Sequence, residues 1–212
     1  TTEGFRDILE MRREIRYDIY DLTAAFPEPL IPRPLRRGVV ERLLADGAVR
    51  TSLDENATRR VVTELRDQGV ESVAVVLLHS YANPAHENRI AEIIKEEAPD
   101  MVVSLSSDVL PEIKEYERTA TTAVNAYVKP LLGRYVANLD SRLSERGLDD
   151  SLFLMLSSGG VTAPVIARQH PVRLIESGPA GGALATAHLG EQAGLNNVLM
   201  FDMGGTTAKS CL

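Results

Sequence analysis

Two short apolar runs, and the segment between them, most constrain what this chain can fold into. Val73 to Leu78 is a continuous, valine-rich run with the length and composition of a strand buried on both faces. Met101 to Leu105 is a second such run. Between them, Asn83-Pro84 suits a helix start, and Ile90, Ile93 and Ile94 recur at helical spacing before Pro99. Strand, helix and strand in that order form a βαβ unit, because a parallel partner is reached only through a crossover. The spacing therefore predicts parallel pairing of 73–78 with 101–105.

The rest of the chain keeps the alternation. Residues 3–16 carry Phe5, Ile8 and Leu9 near helical spacing, and 16–22 alternate enough for a strand. The segment 26–37 holds prolines at 27, 29, 32 and 34, which excludes a helix interior or central strand and predicts a rigid surface connector. Residues 39–49 read as a hairpin turning at Asp46-Gly47. A helix is predicted over 54–68, capped by Asp54, with Ala57, Val61, Val62 and Leu65 on one stripe and Gly69 beyond its end. Residues 112–128 and 131–146 read as helical, with Pro130 either kinking one helix or starting a second, and Gly147 closing the segment. A strand over 151–156, a loop through Pro164 and Pro171, a small-residue helix from about 177 and a last strand over 198–201 follow. Strands alternating with helices place the chain in the α/β class.

Net charge is −7, from 30 acidic against 23 basic residues, so nothing favours a nucleic-acid backbone or an anionic membrane surface. No apolar run reaches membrane-spanning length. Cys211 is the only cysteine, which rules out an intrachain disulfide and suits a reducing cytoplasm. It reads as an inert thiol buried in a strand.

Three glycine-bearing segments carry the candidate chemistry. In the last, an apolar run ends at Asp202, Gly204-Gly205 turn the chain, and Thr206 and Thr207 begin a returning strand. Paired glycines admit backbone N–H groups to an anion, a carboxylate can hold a hydrated cation beside it, and hydroxyls can donate to phosphate. An ordinary hairpin with a Gly-Gly turn explains the same residues. In the second, Ser177, Gly178, Gly181 and Gly182 open a helix, where free N–H groups attract anions. Close backbone packing is the other reading, since Ala183, Ala185 and Ala187 follow. In the first, Ser157-Ser158-Gly159-Gly160 follows a strand, as ligand-binding turns do, and as plain turns also do.

DMGGTT at 202–207 and SGPAGG at 177–182 together resemble the hydantoinase A/5-oxoprolinase family. So do SSGG at 157–160, EYER at 115–118, TTAVNAYVKP at 121–130, HSYANPAHE at 79–87 and TTEGFRDILE at 1–10, in the family's order. The resemblance implies the actin/sugar-kinase/heat-shock ATPase superfamily, with two ribonuclease-H-like lobes closing on ATP. Residues 1–175 would be most of the first lobe and 176–212 the first strands of a second. The chain would then be a piece of a longer polypeptide, its first Asp-x-Gly-Gly-Thr loop before residue 1, and inactive alone.

The implied activity is ATP-dependent opening of a hydantoin or 5-oxoproline-type ring, by phosphorylation of the amide oxygen and attack of water. The alternative on the same scaffold is a ketone carboxylase subunit; a non-enzymatic actin-like ATP switch is an alternative of another class. Asp202, Gly204, Gly205, Thr206 and Thr207 would face nucleotide, as would Ser177, Gly178, Gly181, Gly182, Gly159 and Gly160, with Mg held through water at Asp202. No residue is singled out as general base. A hydantoinase B-type subunit or domain would be the partner.

The family loop looks like Asp-x-Gly-Gly-Thr-[Ser/Thr]-x-Asp, but here Lys209 stands where the second Asp is expected. A lysine there could meet phosphate directly or point to solvent. His79, His86 and Glu87 make a poor chelate and read as capping or solvated groups. Glu115, Tyr116, Glu117, Arg118 and Asn125 read as a solvated helix face with a Glu115–Arg118 pair, or as a substrate-facing set.

Overall fold

A computed structural model describes residues 1–13, 20, 21, 23, 26–148 and 152–212. The strand expected over 16–22, and the end of the helix expected over 3–16, lie largely outside the described residues. The chain divides into two compact units, Thr1–Pro130 and Leu131–Leu212.

The first unit is built on the predicted βαβ. A short helix α1 (Ile8–Met11) leads to a hairpin of β1 (Arg42–Leu43) and β2 (Val49–Thr51). It turns at Asp46-Gly47 as expected, with the Ala48 N–H donating to Asp46 Oδ1 at 2.9 Å. Helix α2 (Glu55–Asp67) starts where Asp54 accepts the Ala57 N–H at 2.8 Å. Strand β3 (Ser72–Val75), helix α3 (Ala85–Glu97) and strand β4 (Val102–Leu105) follow, and β3 pairs with β4 in parallel, Ser72 opposite Val102. At the start of α3 the Asn83 carboxamide accepts the Ala85 N–H at 3.0 Å.

Val62 and Leu65 of α2, Val75 and Leu77, and Ile90, Ile93 and Ile94 of α3 form one buried apolar core. The proline segment is not a free spacer: Arg33 forks Asp7 at 2.8 and 3.0 Å, and Arg36 is buried with its Nη2 on Glu10 at 3.0 Å. One 3₁₀ turn, Arg33–Leu35, lies within it.

After a single turn α4 (Ser106–Val109) comes one continuous helix α5, Glu115–Ser144, with Pro130 inside it. Proline cannot donate the N–H that residue 130 owes the carbonyl of Ala126. That carbonyl instead accepts the Ser72 hydroxyl of β3 at 2.8 Å. A side chain from the sheet thus takes over the missing bond, which fits the helix continuing instead of restarting.

In the second unit β5 (Leu154–Met155) and β6 (Val161–Thr162) form a hairpin. The expected loop through Pro164 and Pro171 is instead helix α6 (Pro164–Gln169) and a 3₁₀ turn, Pro171–Leu174. Both prolines sit at helix starts, where a missing N–H costs nothing. Helix α7 (Ser177–Gln192) and a hairpin of β7 (Met200–Met203) and β8 (Ala208–Cys211) complete the unit.

Strand β7 runs past Asp202 to Met203, and the return begins at Ala208 instead of Thr206. Its apolar residues are not all buried as composition suggested: Met200 is buried, but Phe201 is 64% exposed, because a two-stranded ribbon covers little of its own surface. Cys211, expected in a buried strand, is exposed for the same reason.

Replacing Ser72 with Ala should cost about 1–3 kcal/mol by stranding the Ala126 carbonyl. In a Pro130→Ala background residue 130 supplies an N–H again, so the same change should cost less. Denaturation of the four variants measures this, and equal costs in both backgrounds would refute the compensation.

Candidate functional site

The three glycine-bearing segments all fall in the second unit. Ser157–Gly160 is the turn of the β5–β6 hairpin: the Leu156 N–H donates to the Gly160 carbonyl at 2.7 Å, and the Gly159 N–H to the Leu156 carbonyl at 3.0 Å. Gly159 has φ 88°, and a Cβ there would lie 2.8 Å from Leu184 Cδ1 on α7. Local geometry alone therefore requires this glycine. Ser157 tethers the turn, its N–H and hydroxyl both donating to the Arg173 carbonyl at 2.8 and 3.0 Å.

Ser177 is the first residue of α7 and does not cap it. The cap position is Glu176, at φ 65°, and its side chain makes no capping bond to the first turn. The N–H groups of Ser177 and Gly178 precede the helical ladder, so the helix itself gives them no acceptor. The glycines of this segment divide by surroundings. A Cβ on Gly181 would meet Met155 at 3.5 Å, and one on Gly182 would meet Met200 at 3.7 Å, both ordinary van der Waals contacts, so these two sit covered by the two hairpins without their packing demanding glycine. Gly178 is exposed, with nothing within 4 Å of a Cβ.

Gly204 to Thr207 form the exposed turn of the last hairpin, closed by the Gly204 N–H donating to the Thr207 carbonyl at 2.9 Å. Asp202 and Lys209 are direct cross-strand partners. Lys209 reaches further and bonds the Glu176 carboxylate through its Nζ. That ion pair joins the last turn to the start of α7, as the Ser157–Arg173 bonds join the 157–160 turn to the segment before α7. The side chains are 36% and 61% exposed, so the pair adds about 1 kcal/mol or less to stability; its effect is positional. Sequence gave no sign of Glu176, which no motif marks.

In the first unit the residues read as solvated are largely buried. His86 is buried and pairs through Nδ1 with the buried Glu41 carboxylate at 2.8 Å, and Glu41 also accepts the Thr2 hydroxyl. Glu87 is fully buried. Its Oε1 accepts the Leu77 N–H at 2.9 Å and the Ser106 hydroxyl at 2.6 Å; its Oε2 accepts the Ser107 N–H at 2.9 Å and hydroxyl at 2.7 Å. His79 follows the strand at φ 59°, its Nδ1 3.3 Å from the Tyr81 hydroxyl.

The expected Glu115–Arg118 pair on a solvated face is not formed. Arg118, Thr122 and Asn125 recur at i, i+4 and i+7 and make a buried polar stripe. Arg118 Nη1 donates to the Leu77 carbonyl at 2.8 Å, to Ser106 Oγ at 3.3 Å and to Ser80 Oγ; Asn125 donates to Ser104 Oγ at 3.0 Å. Glu115, Tyr116 and Glu117 are half-buried, and Glu117 pairs with Arg13. Among the described residues no group of three or more His, Cys, Asp or Glu side chains is placed to hold a metal, and no helix is long and apolar enough to cross a membrane.

With this geometry in hand, comparison with known proteins is specific. Residues 1–98 match the family described as hydantoinase/oxoprolinase N-terminal region, and 118–212 match hydantoinase/oxoprolinase. The caprolactamase subunit alpha of Pseudomonas jessenii is 36% identical over 97% of this chain and 30% of its own length. The crystal structure of that ATP-dependent caprolactamase superposes with a TM-score of 0.85, covering 99% of this chain and 30% of that one. A nucleotide-free acetone carboxylase structure gives 0.89 at 32% identity, covering 99% of this chain and 31% of that one. The 5-oxoprolinase 1 of Arabidopsis thaliana is 30% identical over 97% of this chain and 18% of its own length. The chain belongs to the hydantoinase/oxoprolinase family and has a mixed α/β fold. It spans about a third, or less, of the length of these relatives.

The two kinds of glycine make opposite predictions. Gly159→Ala should destabilise the second unit by about 1 kcal/mol or more, through positive φ and the Leu184 contact. Gly178→Ala should leave the fold intact or slightly firmer, as Gly→Ala in a helix does. Thermal unfolding of the two variants measures the contrast.

Proposed function

We propose that this chain carries nucleotide-facing elements of an ATP-dependent enzyme that opens a cyclic amide of the hydantoin or 5-oxoproline kind. The observation that carries the reading is the joining of the Gly204–Thr207 turn to the open start of α7 through Lys209 and Glu176, in a member of this family. Exposed glycines with empty space over Cα, unladdered N–H groups and threonine hydroxyls are the donor set a polyphosphate needs. Gly178, Gly204, Gly205, Thr206 and Thr207 would hold phosphate, with Ser177, Gly159 and Gly160 at the margin. Gly181 and Gly182 lie deeper in the helix, beside Met155 and Met200, and would back the phosphate-facing turn instead of touching phosphate. Bound ATP supplies the phosphoryl group that leaves the amide carbon open to water.

Asp202 would meet Mg through water, the usual manner of a single carboxylate beside phosphates. Lys209, directly across the ladder, would offset the local negative charge and keep Glu176 from filling the anion position at the helix start. The lobe would be of the actin-like, ribonuclease-H-like kind, with 1–175 in the first lobe and 176–212 opening the second. The active protein would work in the cytoplasm with a hydantoinase B-type partner. Ketone carboxylation is the second reading, favoured by the 0.89 superposition on acetone carboxylase.

Phosphate release by the full-length protein, profiled over lactams, hydantoins and ketones, tests the proposal. A ring-opened product supports amide opening; bicarbonate-dependent turnover of a ketone transfers the assignment to carboxylation. Lys209→Met should weaken ATP binding roughly tenfold, about 1.4 kcal/mol, with unfolding little changed because the ion pair is exposed. Unchanged ATP affinity would remove Lys209 from the site.

A further inference from the structure

In the first unit, Arg118 is fully buried, yet only half of its guanidinium is used. Nη1 is occupied by the Leu77 carbonyl, Ser80 and Ser106, while Nε and Nη2 are sealed from solvent and have no acceptor among the described residues. These orphans are not scattered. In a planar guanidinium, Nε–H and one Nη2–H point the same way and form the lateral fork that grips two oxygens of one oxyanion. Buried polar groups are nearly always satisfied, so an unfilled fork calls for a partner.

Among the described residues no carboxylate fills it: none lies within ion-pair distance of Arg118, and the nearby Glu87 has both oxygens engaged by Leu77, Ser106 and Ser107. Burial lowers the guanidinium pKa from its ordinary value, opposed by Glu87, Glu115 and Tyr81. The guanidinium also sits where ligands collect in α/β proteins. Leu77 and Ser80 follow β3, Ser106 follows β4, and the crevice beyond the carboxyl ends of parallel strands is the usual ligand position. The adjoining turn holds His79 at φ 59°, a conformation rare for a side-chain-bearing residue, and Tyr81, whose ring centroid is 5.6 Å from the guanidinium carbon.

We propose that the Nε–Nη2 edge of Arg118 is a binding site for a small carboxylate, gripped in bidentate fashion. Charge favours carboxylate over phosphate. Glu87 and the half-buried Glu115 both act on Arg118, so every negative charge an anion brings is opposed, and a monoanion meets less repulsion than a phosphate dianion. The edge is closed to solvent here, so entry requires movement of the residues that cover it. This site uses no residue of the glycine segments and does not depend on the proposed activity.

The test is a titration of the full-length protein, with nitrogen-labelled arginine, followed by the Nε–H resonances in NMR. The Arg118 signal is identified by its loss in Arg118→Lys and, independently, by its displacement in Tyr81→Leu. Acetate should move that signal saturably, with a dissociation constant on the order of 1 mM as suits so small a ligand. Inorganic phosphate should move it at least tenfold more weakly. An equal or stronger response to phosphate overturns the carboxylate assignment, and no response to either anion overturns the site.

Discussion

The carboxylate of Glu87 is the contact on which the first unit depends. It leaves α3 within the first turn, where the helix dipole favours an anion, and meets the chain just beyond both parallel strands. Four donors converge on it, two of them backbone N–H groups from segments that have just left the sheet and lack ladder partners. A charge this deeply buried would be costly without them, and the two N–H groups would be orphans without the charge. One side chain thus fixes helix, strand ends and crossover in one arrangement. It also sets the position of Ser106, through which Arg118 is placed.

The second unit is held by a different means. Its strands are short and lie in separate two-stranded ribbons, so ladder bonds alone hold little. Helix α7 covers Met155 and Met200 beside Gly181 and Gly182, and at Gly190 it approaches so closely that a Cβ would come within 2.7 Å of Val198. Close approach replaces bulk here. The same helix start then keeps a bare end at Gly178, where glycine has no packing duty. Separating packing glycines from open ones narrows the Gly-rich segment to the atoms able to meet an anion.

The sequence made the βαβ unit legible because Val73–Leu78, Asn83-Pro84 and the isoleucine stripe each report a local requirement. Asp54, Asp46-Gly47 and Gly147 were legible for the same reason. What was not legible depended on partners distant in sequence. Nothing in His86-Glu87 says that adjacent charged residues both turn inward, one to Glu41 and one to the strand ends. Arg118 looks solvated beside Glu115 until the i, i+4, i+7 spacing with Thr122 and Asn125 is set against a sheet. The candidate site was legible as three glycine segments, whereas Glu176, which ties two of them through Lys209, carries no motif. Lone apolar runs also misled: Val198–Phe201 resembles a buried strand but has only one strand beside it.

Pro130 has a bearing on how the long helix α5 breathes. A helix normally opens from its ends, each amide protected by the turn behind it. At residue 130 there is no amide to protect, and the bond that replaces it is a serine hydroxyl anchored in β3. Fraying that starts at Ser144 therefore meets a clamp which does not belong to the helical ladder. Solvent hydrogen exchange would see one rod as two: a C-terminal stretch opening at low cost, and an N-terminal stretch whose protection rises with that of the parallel sheet.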